Sequence, residues 1–121
     1  MSTDRRRALQ ERRQTDRVAA VFAVKKAIVA GSSSKQIQLC QAEDIAPAGM
    51  TIKRPRGSAV LPRTELALSF ALPGSPDEIS ARGVVVSDTS TGSFRRTGVR
   101  FIALAPHHAQ LIAGYCRRRT R

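Results

Sequence analysis

The chain has no tryptophan, one tyrosine and four phenylalanines in 121 residues. Its core must therefore be mostly aliphatic, and it has few rings on which exposed bases could stack. Acidic residues are scarce too, nine against 21 Lys and Arg, and they are scattered. That leaves paired-carboxylate catalysis without a candidate pair. The two cysteines, Cys40 and Cys116, show no C-x-x-C spacing. They read as buried thiols in a reducing compartment. His107 and His108 are the only histidines. Neighbours on a helix point about 100° apart, which makes poor co-ligands for one metal, and no Cys/His/Asp cluster accompanies them. No Ser, Cys or Thr sits in a nucleophile motif. No apolar run approaches the ~20 residues that span a bilayer. No apolar stretch follows the first arginines, as a secretory leader would require. These absences argue against an enzyme and against a membrane span, and the expected location is the cytoplasm.

What the chain has in excess is positive charge, +12 overall. Residues 1–17 hold six Arg against three acids, and residues 117–121 hold four Arg and no acid. The two ends thus supply more than half of the excess, which raises encounter with anions such as nucleotides, nucleic acids or acidic lipids. Length predicts one domain with a modest core. Residues 1–11 read as a flexible basic arm, residues 12–116 as the folded domain and residues 117–121 as a basic tail. Such a tail is ordinarily solvated; a functional one would bind phosphate backbones without sequence choice.

Short apolar runs separated by turn signals fill the domain. Val18–Ala30 predicts a strand, closed by a turn at Gly31–Ser34, whose single glycine does not make a phosphate loop. Alternation over residues 36–40 predicts a second, half-buried strand. Pro47 fits the second position of a type I turn and Gly49 its end. Met50–Arg54 follows as a short strand, before a Pro/Gly/Arg loop. Leu66, Leu68, Phe70 and Leu72 carry the clearest period-two pattern. Ala81–Ser87 and Thr97–Leu104 predict a hairpin joined by residues 88–96. Pro106 suits a helix start, and His108, Leu111, Ile112 and Tyr115 share one face of a helix of about ten residues. The expected fold is all-β: a six-stranded antiparallel β-barrel with one C-terminal α-helix and the N-terminal arm.

One stretch, RRQTDR at residues 12–17, contains the spacing R-x-x-x-R in Arg13 and Arg17. Arg96–Arg100 and Arg117–Arg121 have it as well, so spacing alone marks only a solvated charge run. Position sets the first apart, because it closes the arm just before the first strand. Asp44 then opens D-I-A-P-A-G, ending at Gly49, at a strand-to-strand turn. With TGVRF at residues 97–101, these stretches resemble the PilZ domain family, bacterial receptors for cyclic di-GMP. The family signature is R-x-x-x-R near the start, then (D/N)-x-S-x-x-G after the second strand, with Gly-hydrophobic-x-Phe commonly opening the last strand. The resemblance runs from about Arg12 to Tyr115. Ala46 stands where the family has Ser, and Val86 falls where it often has an aromatic ring.

The resemblance implies a PilZ-like barrel and a ligand site built from Arg12, Arg13, Arg17, Asp44, Ala46 and Gly49. It implies no cofactor, cyclic di-GMP as ligand in one or two molecules per chain, and a protein partner of unknown identity. The chemistry suits those residue types. Guanidinium is permanently charged, and its fork matches a phosphate or the O6/N7 edge of guanine. Asp44 would accept from guanine N1–H and N2–H2, Gly49 would let the backbone approach, and Lys53 and Arg54 would add positive field. Arg12 is associated in the family with an intercalated ligand pair. Two alternatives remain: a degenerate PilZ module that binds protein without cyclic di-GMP, and a small basic nucleic-acid binder, disfavoured by the scarcity of aromatic rings.

Overall fold

Burial alternates with exposure at Val18, Ala20, Phe22 and Val24, which makes the first strand, β1 (Val18–Val29), a wall with one side in the core. Lys25 and Lys26 are then both exposed, at a register shift that restores the phase for buried Ala27. The computed structural model describes residues 17–29, 40–55 and 60–119. The turn expected at Gly31–Ser34, residues 36–39 of the expected second strand and most of the Pro/Gly/Arg loop lie outside these. The remaining elements are β2 (Cys40–Ala46), β3 (Gly49–Pro55), β4 (Glu65–Ala71), β5 (Glu78–Thr91), β6 (Phe94–Leu104) and a helix α1 (Pro106–Arg119). The strands pair in the order β1-β2-β3-β6-β5-β4, every pair antiparallel, and the sheet closes through β4 against β1. Closure removes exposed sheet edges. The expected six-stranded barrel with one C-terminal helix is therefore the fold.

The core is aliphatic, threaded by three phenylalanines. Phe22 and Phe70 lie 5.6 Å apart, and Phe70 and Phe101 stack at 6.4 Å. Helix α1 crosses one opening of the barrel. Near its start the His108 ring nitrogen Nδ1 accepts from the Ser80 N–H at 3.4 Å; near its end Cys116 Sγ donates to Ile45 O at 3.6 Å. Those residues are eight apart, about 12 Å of helix, enough to reach from β5 to β2. Ile112, Tyr115 and Cys116 are buried in the barrel mouth. His108 is only half-buried at the rim. The helix outruns the ten residues expected of it, so Arg117–Arg119 form its last turn, where positive charge complements the helix dipole. No helix among the described residues is long and apolar enough to cross a membrane.

One strand expectation is extended and one needs correction. Of the expected second strand only Cys40 is described, and from it β2 runs on through Asp44 to Ala46. The turn is only Pro47–Ala48, with Ala46 paired to Gly49, and Pro47 does hold its second position. The β5–β6 hairpin extends to a two-residue turn at Gly92–Ser93, with Gly92 at φ +60. Glycine at the first central position is the mark of a type II′ turn. Apart from Phe94 the outer part of this hairpin is polar on both faces, so no apolar alternation announces it.

Candidate ligand cleft

Antiparallel pairing sets residues of different strands in rows. On the outer face of β2-β3-β6-β5, one row runs Ala46–Gly49–Arg100, the next Asp44–Thr51–Gly98–Ser87, and a third Gln41–Lys53–Arg96–Thr89. The middle of this face is low because Gly98 has no side chain, and Ala46 and Gly49 leave the first row low as well. Arg96 and Arg100 rise on either side, four residues apart on one strand, so about 13 Å along it. The result is a cleft of about 560 Å³, within the usual ~300–1,000 Å³ of small-molecule sites. Arg17, the last residue before β1, closes its edge, with the Pro47–Ala48 turn beside it.

A bulge completes the floor. Val85 pairs with Val99 but Ser87 pairs with Gly98, so Val86 is an extra residue. Val86 and Ser87 are both exposed and both line the cleft. A Cβ built on Gly98 would lie 2.5 Å from Ser87 Oγ and 3.4 Å from Val86 Cγ2. Glycine is thus what lets the bulge and the floor coexist. None of the five aromatic residues lines the cleft: Phe22, Phe70, Phe101 and Tyr115 belong to the core, and Phe94 lies under the Lys53 ammonium at 4.0 Å.

The structure brings together four of the six residues the sequence nominates. Arg17 Nε is 3.7 Å from Asp44 Oδ1, and Ala46 and Gly49 line the cleft. Asp44 is half-buried beside the cleft rather than in its lining, and its Oδ1 accepts the Thr51 N–H at 3.1 Å. Arg12 and Arg13 lie outside the described residues. Gly49 has a second reason to be glycine, since a Cβ there would collide with Val99 O of β6.

Arg54, expected to add field, does not. It points into the barrel, buried, and donates to Thr97 Oγ1 at 3.0 Å and to both carboxylate oxygens of Asp88 at 3.1 and 3.2 Å. Asp88 also accepts from Thr97 Oγ1 at 2.7 Å, Val60 N–H at 2.9 Å and Arg95 Nε at 3.0 Å. Burial by itself would raise the Asp88 pKa, but the bonds from Thr97, Val60, Arg95 and Arg54 outweigh it and lower it to about 2. The bulge at Val86 is what turns Asp88 inward to meet them. Arg54 is therefore neutralised inside the wall, whereas Arg96 pairs with Glu43 at 2.8 Å on the surface. Arg100 is exposed and has no ion-pair partner among the described residues.

Sequence reading missed Arg96, Gly98 and Arg100. The arginines' signal was a second R-x-x-x-R spacing, indistinguishable from a basic run until the strand put both on one face, and that of Gly98 was its place in the Gly-hydrophobic-x-Phe of TGVRF.

The family model for the PilZ domain matches residues 11–118. Among solved structures, that of the Bacillus subtilis inhibitor of motility (MotI/DgrA) is similar, with a TM-score of 0.73 at 20% identity. The alignment covers 85% of this chain and 48% of that one, so this chain spans about half of that structure's length. At such identity the likeness speaks to the fold. No curated protein matches the sequence significantly.

Proposed function

The chain belongs to the PilZ domain family, and from that premise we propose that it is a cyclic di-GMP receptor that relays binding to a protein partner. The observation that carries this reading is the meeting of both motif ends at one cleft. Arg17 sits 3.7 Å from Asp44, and Ala46 and Gly49 line the same depression. Cyclic di-GMP carries two phosphates and two guanines. Arg13 and Arg17 clamp a phosphate or a guanine edge through paired donors. Asp44 keeps one oxygen on Thr51 and offers the other to guanine N–H groups. Arg12 contributes when a second ligand stacks on the first. Binding draws the residues before β1 onto the barrel, and the partner reads that change.

Calorimetric titration with cyclic di-GMP tests this directly. The expected result is saturable heat with one or two ligands per chain. Absence of heat, together with no rise in melting temperature at high micromolar ligand, overturns it. A stoichiometry of one removes the role given to Arg12.

A second reading has its own support. Ala46 has no hydroxyl, and the cleft has no ring to stack on guanine. A module that binds its partner without ligand predicts partner capture indifferent to cyclic di-GMP. Capture that is lost in Arg17→Ala and gained with ligand argues against it.

A further inference from the structure

We propose that Arg100 is a ligand-contacting residue of the cleft, and that it supplies the contact Ala46 cannot make. This rests on the receptor reading given above.

Four observations converge on Arg100. It lines the cleft. Its side chain is exposed, and among the described residues no carboxylate holds it, whereas Arg96 is held by Glu43 and Arg54 and Arg95 by Asp88. It lies in the same cross-strand row as Ala46, because Ala46 pairs with Gly49 and Gly49 with Arg100. Two strand spacings, about 9.6 Å, separate the ends of that row. Between them stands only Gly49, which has no side chain and cannot acquire one without striking Val99 O. The guanidinium therefore has open space from its own strand to the region above Ala46.

The chemistry matches what that region lacks. A hydroxyl at position 46 would offer one donor and two lone pairs; Ala46 offers none. Arg100 brings a charged, bidentate donor, stronger toward phosphate than a neutral hydroxyl. It also stands across the cleft from Arg17, so an anion held there meets guanidinium from both sides. Arginine rather than lysine is required, because the fork makes two bonds where an ammonium acts as a point charge.

The test is a calorimetric double-mutant cycle with cyclic di-GMP on the full chain. Arg100→Ala is expected to weaken binding about 10- to 100-fold, and Arg100→Lys about fivefold or more, with unfolding midpoints near wild type. Arg82→Ala removes the same charge from an exposed pair with Glu65 outside the cleft, and is expected to change affinity by less than about twofold. Ala46→Ser is expected to improve the Arg100→Ala chain at least about threefold more than it improves wild type, the coupling of two groups serving one ligand atom. Binding within twofold of wild type in both Arg100 variants overturns the inference while the receptor reading stands. Equal improvement by Ala46→Ser in both backgrounds overturns the compensation. A wild-type chain that takes up no cyclic di-GMP overturns the receptor reading itself, and this inference with it.

Discussion

Arg17 Nε stands 3.7 Å from Asp44 Oδ1, joining the residue before β1 to the end of β2 at the edge of the cleft. Half of the arginine side chain is exposed, and an ion pair so long and so wet contributes about 0–1 kcal/mol to folding. Arg17→Ala should therefore leave the urea midpoint almost unchanged. Cyclic di-GMP affinity should fall about 10- to 100-fold, the worth of a charge-assisted contact. A large stability loss with unaltered binding would place Arg17 in the fold rather than in the site.

The Arg54–Asp88 pair should behave in the opposite way. Its side chains are 6% and 3% exposed, and removing one partner strands the other charge inside the wall. Asp88→Ala should cost about 3–5 kcal/mol in urea unfolding. Glu65→Ala, which breaks the exposed pair with Arg82, should cost less than about 1 kcal/mol. Similar losses in the two variants would refute the contrast.

Asp88 also predicts a pH dependence. In the folded chain its carboxylate stays ionised down to about pH 2, while its ordinary value is 3.8. The stabilisation is complete above the ordinary value and disappears as pH falls from about 4 towards 2, because the unfolded chain takes up the proton first. Melting temperatures measured from pH 5 to 2 should fall in that window, and Asp88→Asn should flatten this part of the profile. An equally steep fall in Asp88→Asn would assign it to other carboxylates.

Two glycines separate fold from site. At Gly98 the obstacle to a methyl is chiefly the rotatable Ser87 hydroxyl, so Gly98→Ala should cost about 1 kcal/mol or less while raising the cleft floor. Binding should weaken about fivefold or more. At Gly49 the obstacle is the backbone carbonyl of Val99, and Gly49→Ala should destabilise by about 1–3 kcal/mol or more. Denaturation and ligand titration of both variants decide the matter; a Gly98→Ala chain that binds normally would remove Gly98 from the floor.

Val86 offers a gain-of-function test. It is 55% exposed at the bulge and lines the cleft. Stacking of a base on an aromatic side chain contributes about 1–3 kcal/mol. Val86→Trp should thus tighten cyclic di-GMP about fivefold or more, with quenching of the new indole fluorescence on binding. Unchanged affinity and fluorescence would mean that no guanine reaches this position.

Local pattern made the barrel legible. Alternation in Leu66–Leu72 announces a strand with one apolar face, the Val-, Ala- and Ile-rich run from Val18 announces another, and Pro106 announces the helix, because these signals reside in neighbouring residues. The β5–β6 hairpin tip escaped because Asp88 and Arg95 are polar yet point inward, satisfied by one another and by Thr97 and Arg54. Polar residues that bury one another look, in a linear chain, like a loop.

The order of residues alone determined the strand and helix inventory, the basic balance, and the two motifs ending at Arg17 and Gly49. Only the tertiary structure decided which charges are available to a ligand. Arg54, Arg95, Arg96 and Arg100 are equivalent in composition, but a barrel wall has two faces, and register and bulges assign each side chain to one of them. Asp88 holds Arg54 and Arg95 within the wall, and Glu43 holds Arg96 at the surface. Arg100 stands open beside Gly49, in the row that leads to Ala46.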